Sequence, residues 1–426
     1  MRFFIFTVLP ILLFSLSGMA QASKSFSDLE LDLFALQDVS FKTENGQDFT
    51  LYVRQPLDHQ HPEKGYFYQK VYLNHKSYSA PTVIVTEGYT ARRNRQQEIT
   101  RILEANQVQV EHRYFGESMP DSIDYQYLNL EQVAGDLHHI RTVLGTLYTG
   151  PWLSTGRSKG GATTIFYRYF FPEDTEAGLP YVAPINLEFE EQRIYDFLDT
   201  IGSDECREKM LAVQRKVLSE RATVLPLLKY YAKGKELEFS YLSLEQAFEL
   251  MVLEYPFSFW QYGASCTEIP SADAPIQELL DYLMNVSGID FFSDSGMDTY
   301  ASHYYQSANE FGYYGYETDK FKDLIKAWPL QPNPHAAFTP NKMDVPFDDS
   351  LLKQVHKWLD KDADHMIYIY GAIDTWTASA VPENDKVDAL WFFMEGKHHG
   401  NANIGNMDEA ERKLLIGSLK NWMGLE

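Results

Sequence analysis

Short apolar runs rich in β-branched residues alternate with segments of helical spacing along both ends of the chain. Pro81–Thr86 reads as a buried strand closed by Gly88, and Gln107–Arg113 as a second strand after the helical stretch Gln96–Ala105. Glu131–Leu147 carries Val133, Leu137, Ile140 and Leu144 on one helical face. Further strands are predicted at Trp152–Thr155, Tyr181–Leu187, His365–Tyr370 and Ala389–Met394, with an amphipathic helix over Asp408–Met423. Strands separated by helical patterns imply βαβ units and a mostly parallel sheet. Between about 188 and 340 that rhythm stops, and helical spacing takes over, as in Glu205–Leu218 and Ser243–Leu253.

The extreme N-terminus follows another pattern. Met1-Arg2 precedes an almost unbroken apolar run from Phe3 to Leu16, and Ala20-Gln21-Ala22 has the small-x-small form of a cleavage site. A run of about 14 residues is too short for the roughly 20 that span a bilayer. The expected organisation is a signal peptide at 1–22, a core in two parts at 23–187 and 341–426, and a helical insertion at 188–340. The mature protein is expected to be secreted or periplasmic, without a stable membrane anchor. An oxidising compartment favours a disulfide between Cys206 and Cys266; the alternative is two separate buried thiols.

Composition narrows the function classes. The 426 residues hold 60 acidic and 37 basic side chains, a formal net charge of -23, so nucleic acid is not an expected partner. The excess is local: the window 236–319 contains 15 acidic residues, 18 aromatic residues and no Lys or Arg.

Gly156-Arg157-Ser158-Lys159-Gly160 matches G-x-S-x-G, with a predicted strand before it and a small-residue helix start after it. A serine on so tight a turn has a strained backbone, and neighbours two positions away must lack side chains for the turn to close. This context predicts an α/β-hydrolase fold with a mostly parallel sheet and a large helical cap. A serine hydroxyl needs a general base, and the base needs an orienting carboxylate. In chain order these follow as Asp374, just after the strand at 365–370, and the pair His398-His399, just after the strand at 389–394; pattern alone does not choose between the two histidines. His138-His139 precedes the serine, in mid-helix, and is read as structural. The oxyanion donors are expected to be the backbone N–H of Lys159 with that of Gly88 or Tyr89. Arg157 and Lys159 are expected to pair with Glu87 or Glu111. Metal-ligand spacing is not found, and no cofactor is expected.

Several stretches together resemble a known group. Glu111-His-Arg-Tyr-Phe-Gly-Glu-Ser118, Tyr127–Asp136, Gln55-Pro-Leu-Asp-His59 and Glu395-Gly-Lys-His-His399 resemble motifs of the prolyl carboxypeptidase and dipeptidyl-peptidase II family of serine exopeptidases. That resemblance places the catalytic histidine at His398. Lys159 stands where that family has Tyr, and with Glu254–Tyr262 it is more similar to the related bacterial secreted tripeptidyl aminopeptidases. The resemblance implies release of short peptides from free N-termini. A heavily charged insertion contrasts with the apolar lid of a lipase. An aminopeptidase must anchor an α-ammonium, which an acidic and aromatic surface suits; a carboxypeptidase wants Arg or Lys instead. Glu87, beside the oxyanion loop, and Trp260 are the candidate substrate contacts, and peptides are the expected partners.

Overall fold

In the computed structural model, residues 27–328 and 337–425 are described; the expected signal peptide lies outside them. The chain begins with helix α1 (Asp28–Ala35), whose Ser27 and Glu30 form a capping box, and three strands, β1 (Val39–Asn45), β2 (Asp48–Pro56) and β3 (Tyr66–Asn74). There follow β4 (Thr82–Thr86), α2 (Glu98–Ile102), β5 (Asn106–Val110), α3 (Leu130–Gly145), β6 (Trp152–Arg157), α4 (Lys159–Phe170) and β7 (Ala177–Tyr181).

Among the described residues there follow α5 (Gln192–Thr200), α6 (Asp204–Ser219), α7 (Arg221–Lys235), α8 (Leu244–Tyr262), α9 (Ile276–Ser287) and α10 (Asp294–Gln306). The chain returns through α11 (Ser350–Leu359) to β8 (Met366–Gly371), β9 (Ala389–Met394) and α12 (Glu409–Trp422).

The strands form one sheet in the order β1-β2-β3-β5-β4-β6-β7-β8-β9. The first three and their junction with β5 are antiparallel; every pairing from β5 to β9 is parallel. Strand alternation sorts side chains to two faces. Val83, Val85, Ile367 and Ile369 pack with Leu415 and Leu419 of α12 on one face. Tyr368 and Tyr370 meet Ile165 of α4 and Val355 of α11 on the other, where Ile84 also packs beneath Leu137 and Ile140 of α3. This topology, with a serine turn between β6 and α4, is the α/β-hydrolase fold.

The strand expected at 181–187 is displaced. β7 ends at Tyr181, and its earlier part, Ala177-Gly-Leu-Pro-Tyr, hides its strand character behind Gly178 and Pro180. Val182–Ile185 are buried as irregular chain, with φ 43° at Val182, and Leu187 is exposed. The antiparallel strands β1–β3 extend the sheet beyond its parallel part.

The inserted helices have their own core, built from residues such as Met210, Val213, Phe248, Met251 and Leu283. Cys206 of α6 and Cys266, just beyond α8, form a disulfide with Cα atoms 5.4 Å apart. Pro256 lies inside α8 and has no N–H for the carbonyl of Val252. Gln214 of α6 supplies the missing donor, at 2.8 Å. Among the described residues no helix is long and apolar enough to cross a membrane.

Candidate active site

Ser158 sits between β6 and α4 with φ 58° and ψ -129°, a conformation that non-glycine residues adopt only when the surroundings impose it. Those surroundings are close. A Cβ on Gly156 would stand 2.3 Å from the Gly160 carbonyl oxygen, and one on Gly160 would stand 2.4 Å from that of Thr86. The two glycines of the motif are therefore required by backbone approach, and Ser158 donates its N–H to Tyr181 at 2.9 Å.

Asp374 is fully buried at the end of β8. Its Oδ1 accepts from the Trp376 N–H at 3.2 Å, and its Oδ2 accepts from His399 Nδ1 at 2.6 Å. The histidine paired with the acid is thus His399; the expectation of His398 is corrected. The two adjacent rings meet different partners. His398 lies against α8's terminus, where a Cβ on Gly263 would come within 2.4 Å of its Cδ2. Its Nδ1 accepts from the Gly400 N–H at 3.2 Å. With the Nδ1 proton of His399 held by a buried carboxylate, its Nε2 is left as a base, and His399 shares a cavity with Ser158.

Arg157 and Lys159 do not pair with Glu87 or Glu111. Arg157 donates to the carbonyls of His399 at 2.6 Å and Ala402 at 3.1 Å, tying the histidine loop to the serine turn. Lys159 is buried and donates through Nζ to the Gly88 carbonyl (2.9 Å) and Gln306 Oε1 (2.7 Å), with His112 Nε2 at 3.2 Å. Glu111 is instead held by Lys70 at 3.2 Å and by the N–H groups of Ala91, Glu117 and Ser118. Among the described residues, no acceptor meets the backbone N–H of Gly88, Tyr89 or Lys159.

The cavity, about 380 Å³, opens between the serine turn and the inserted helices. Its walls are largely aromatic, including Tyr89, Phe257, Tyr262, Phe291, Tyr300 and Trp376. Among the described lining residues Glu254 is the only carboxylate, and none is Lys or Arg. Glu254 accepts from Ser258 (2.7 Å), Tyr314 (2.8 Å) and Tyr316 (2.8 Å), and burial pushes its pKa up to about 7.

Neither expected substrate contact lines this cavity. Glu87 accepts from Gln109 at 2.7 Å instead, and burial raises its pKa. Trp260 faces a separate cavity of about 210 Å³ within the inserted helices. The signal for Glu254 was present: it is the one charge in the largely apolar and aromatic run Leu250–Trp260.

A buried acid–histidine pair beside a strained serine, in this fold, defines the class of serine hydrolases. Comparison with known sequences makes the class narrower: the PS-10 peptidase S37 profile matches residues 27–425, and the chain belongs to that family. It is a serine peptidase. It is 32% identical to a prolyl tri/tetrapeptidyl aminopeptidase of Streptomyces mobaraensis over 380 residues, covering 87% of this chain and 79% of that relative. A shorter match, 35% over 144 residues, links 28% of this chain to 27% of the serine protease vicPb of Bipolaris victoriae (strain FI3). Among solved structures, a proline iminopeptidase of Mycobacterium smegmatis aligns with TM-score 0.40 and 13% identity, over 87% of this chain and 98% of that one.

Proposed function

We propose that the protein is a secreted aminopeptidase that releases short peptides from free N-termini, with Ser158, His399 and Asp374 as its triad. Ser158 Oγ attacks the scissile carbonyl carbon while His399 Nε2 takes the hydroxyl proton. The carbonyl π electrons move to oxygen, and the resulting oxyanion is held by the N–H groups of Lys159 and of Gly88 or Tyr89. Collapse breaks the C–N bond, and His399 returns the proton to the leaving amine, the new N-terminus of the shortened chain. Water then attacks the acyl-enzyme ester as the same histidine takes its proton; the C–O bond to Ser158 breaks, the histidine returns the proton to the serine oxygen, and the freed N-terminal peptide ionises to a carboxylate. Asp374 keeps the imidazole oriented throughout.

The observation that carries the polarity is Glu254, the single carboxylate among the described lining residues of an aromatic cavity that also holds Ser158 and, among those residues, has no Lys or Arg. Ionised, it suits an α-ammonium; a carboxypeptidase site would need the opposite charge. The relative named for prolyl tri/tetrapeptidyl cleavage supports the same polarity. Removal of residues 1–22 on export belongs to this reading, and so does a helical cap at 188–340 that restricts access to the cavity. The test is mass spectrometry of products from a peptide library with free and acetylated N-termini. Short N-terminal peptides from free amines only are expected; internal cuts, or single residues lost from C-termini, would overturn the assignment.

A further inference from the structure

The side chain after the nucleophile has no part in the chemistry above, yet it occupies a specific place. Lys159 Nζ is buried beneath the loop that follows β4, 2.9 Å from the Gly88 carbonyl oxygen. That carbonyl belongs to the same peptide unit as the Tyr89 N–H. Its other two neighbours are Gln306 Oε1 at the end of α10 and His112 Nε2. His112 Nδ1 lies 2.8 Å from the Arg113 carbonyl, which can only accept, so Nδ1 carries the ring proton and Nε2 is an acceptor. All three partners of Nζ are then acceptors, and an ammonium has the three protons to serve them. Burial pushes the lysine pKa well below its ordinary value, with the nearby Glu310 pulling it back, and it is the geometry of three acceptors around Nζ that favours the charged form. The rings of Tyr89 and Phe115 face the charge at 5.4 Å and 5.3 Å.

We propose that Lys159 is a positioning residue that polarises the oxyanion hole: its ammonium, bonded to the Gly88 carbonyl, draws electron density along the Gly88–Tyr89 peptide and strengthens the Tyr89 N–H as a donor. Peptide resonance couples the two ends of one amide, so a cation on the oxygen makes the N–H more acidic. One residue thus acts twice, through its own backbone N–H and through its side chain. The bond to Gln306 makes α10 part of the same assembly, so the inserted helices help to set the geometry of the hole.

The inference rests on Ser158 as nucleophile and on Tyr89, which lines the Ser158 cavity as Gly88 does not, as the second oxyanion donor; the experiment separates it from the nucleophile reading. A tripeptide boronic acid with a free N-terminus adds the Ser158 oxygen to boron and gives a tetrahedral anion that mimics the intermediate. Lys159→Met keeps the backbone N–H and removes the charge. We expect about thirtyfold weaker boronate binding, by comparison with loss of an oxyanion donor, with a similar fall in kcat and an unchanged KM. Lys159→Gln, which keeps a neutral donor, should lose less, and it carries the test if the methionine variant does not fold. Undiminished boronate affinity in the folded variant overturns the proposal while leaving the serine reading intact. Equal weakening of boronate and substrate binding also overturns it, since that marks a general disturbance of the cavity. A wild-type enzyme that the boronate does not inhibit overturns the nucleophile reading, and this inference with it.

Discussion

Glu254 is buried as an acid whose pKa stands near 7, well above that of an exposed glutamate, because desolvation outweighs its three hydroxyl donors. Its effects on stability and on binding have opposite signs. The folded state holds the proton more tightly than the unfolded chain. Stability is therefore full below the unfolded pKa and falls as pH rises towards 7. Glu254→Gln should accordingly melt a few degrees higher than wild type at pH 8, as measured by calorimetry. The same change should raise KM for free-amine peptides by roughly tenfold or more, the range for losing a bond to a charged group. For the wild type, KM for such peptides should fall as pH rises through about 7 and the carboxylate ionises. At the neighbouring histidines, His399→Ala should lower kcat by about 10⁶-fold. His398→Ala should retain most activity; equal losses in steady-state assays would contradict the observed pairing with Asp374.

Helix α8 is the element on which the site's two halves meet. Its residues Glu254 and Phe257 line the cavity, while its carbonyls at Phe257 and Gln261 accept from Thr375 Oγ1 (2.9 Å) and the His399 N–H (3.1 Å). A helix with an internal proline would ordinarily bend freely at that point, but Gln214 and the Cys206–Cys266 disulfide tie α6 to both its middle and its end. Replacing both cysteines by serine should cost about 2–4 kcal/mol of stability in denaturant titrations. Because α8 contacts the acid and base loops, kcat should fall with it. A stability loss with unchanged kcat would show that the disulfide acts on the insertion's core alone.

For the molecule as a whole, charge separates into two populations. Of the 15 acidic residues in the window 236–319, eleven are exposed, whereas Glu249 and Glu254 are buried. Most of the excess is thus a solvated surface on the inserted helices, and a single member of it reaches the cavity. That surface still exerts a long-range field on cationic peptides. Raising ionic strength from about 10 mM to 500 mM should reduce kcat/KM for peptides of net positive charge by a few-fold, with little change for neutral ones. The parallel strands and the serine turn were legible because buried strands are short and apolar, and because the turn demands glycine at fixed offsets. The shift of β7 was not, since Gly178 and Pro180 conceal a strand that tertiary packing imposes.

The sequence by itself determined the sheet's alternation with helices, the helical insertion, the serine turn and the order of acid and histidine, because each follows from local periodicity or backbone sterics. Only the tertiary structure decided which of two adjacent histidines meets Asp374, because neighbouring side chains in a loop diverge and only a long-range contact selects one. It likewise decided that Glu254, and neither Glu87 nor Trp260, enters the cavity. It also placed Lys159 under the Gly88 carbonyl, since nothing in a residue's own neighbourhood specifies what a distant helix and loop will present to it.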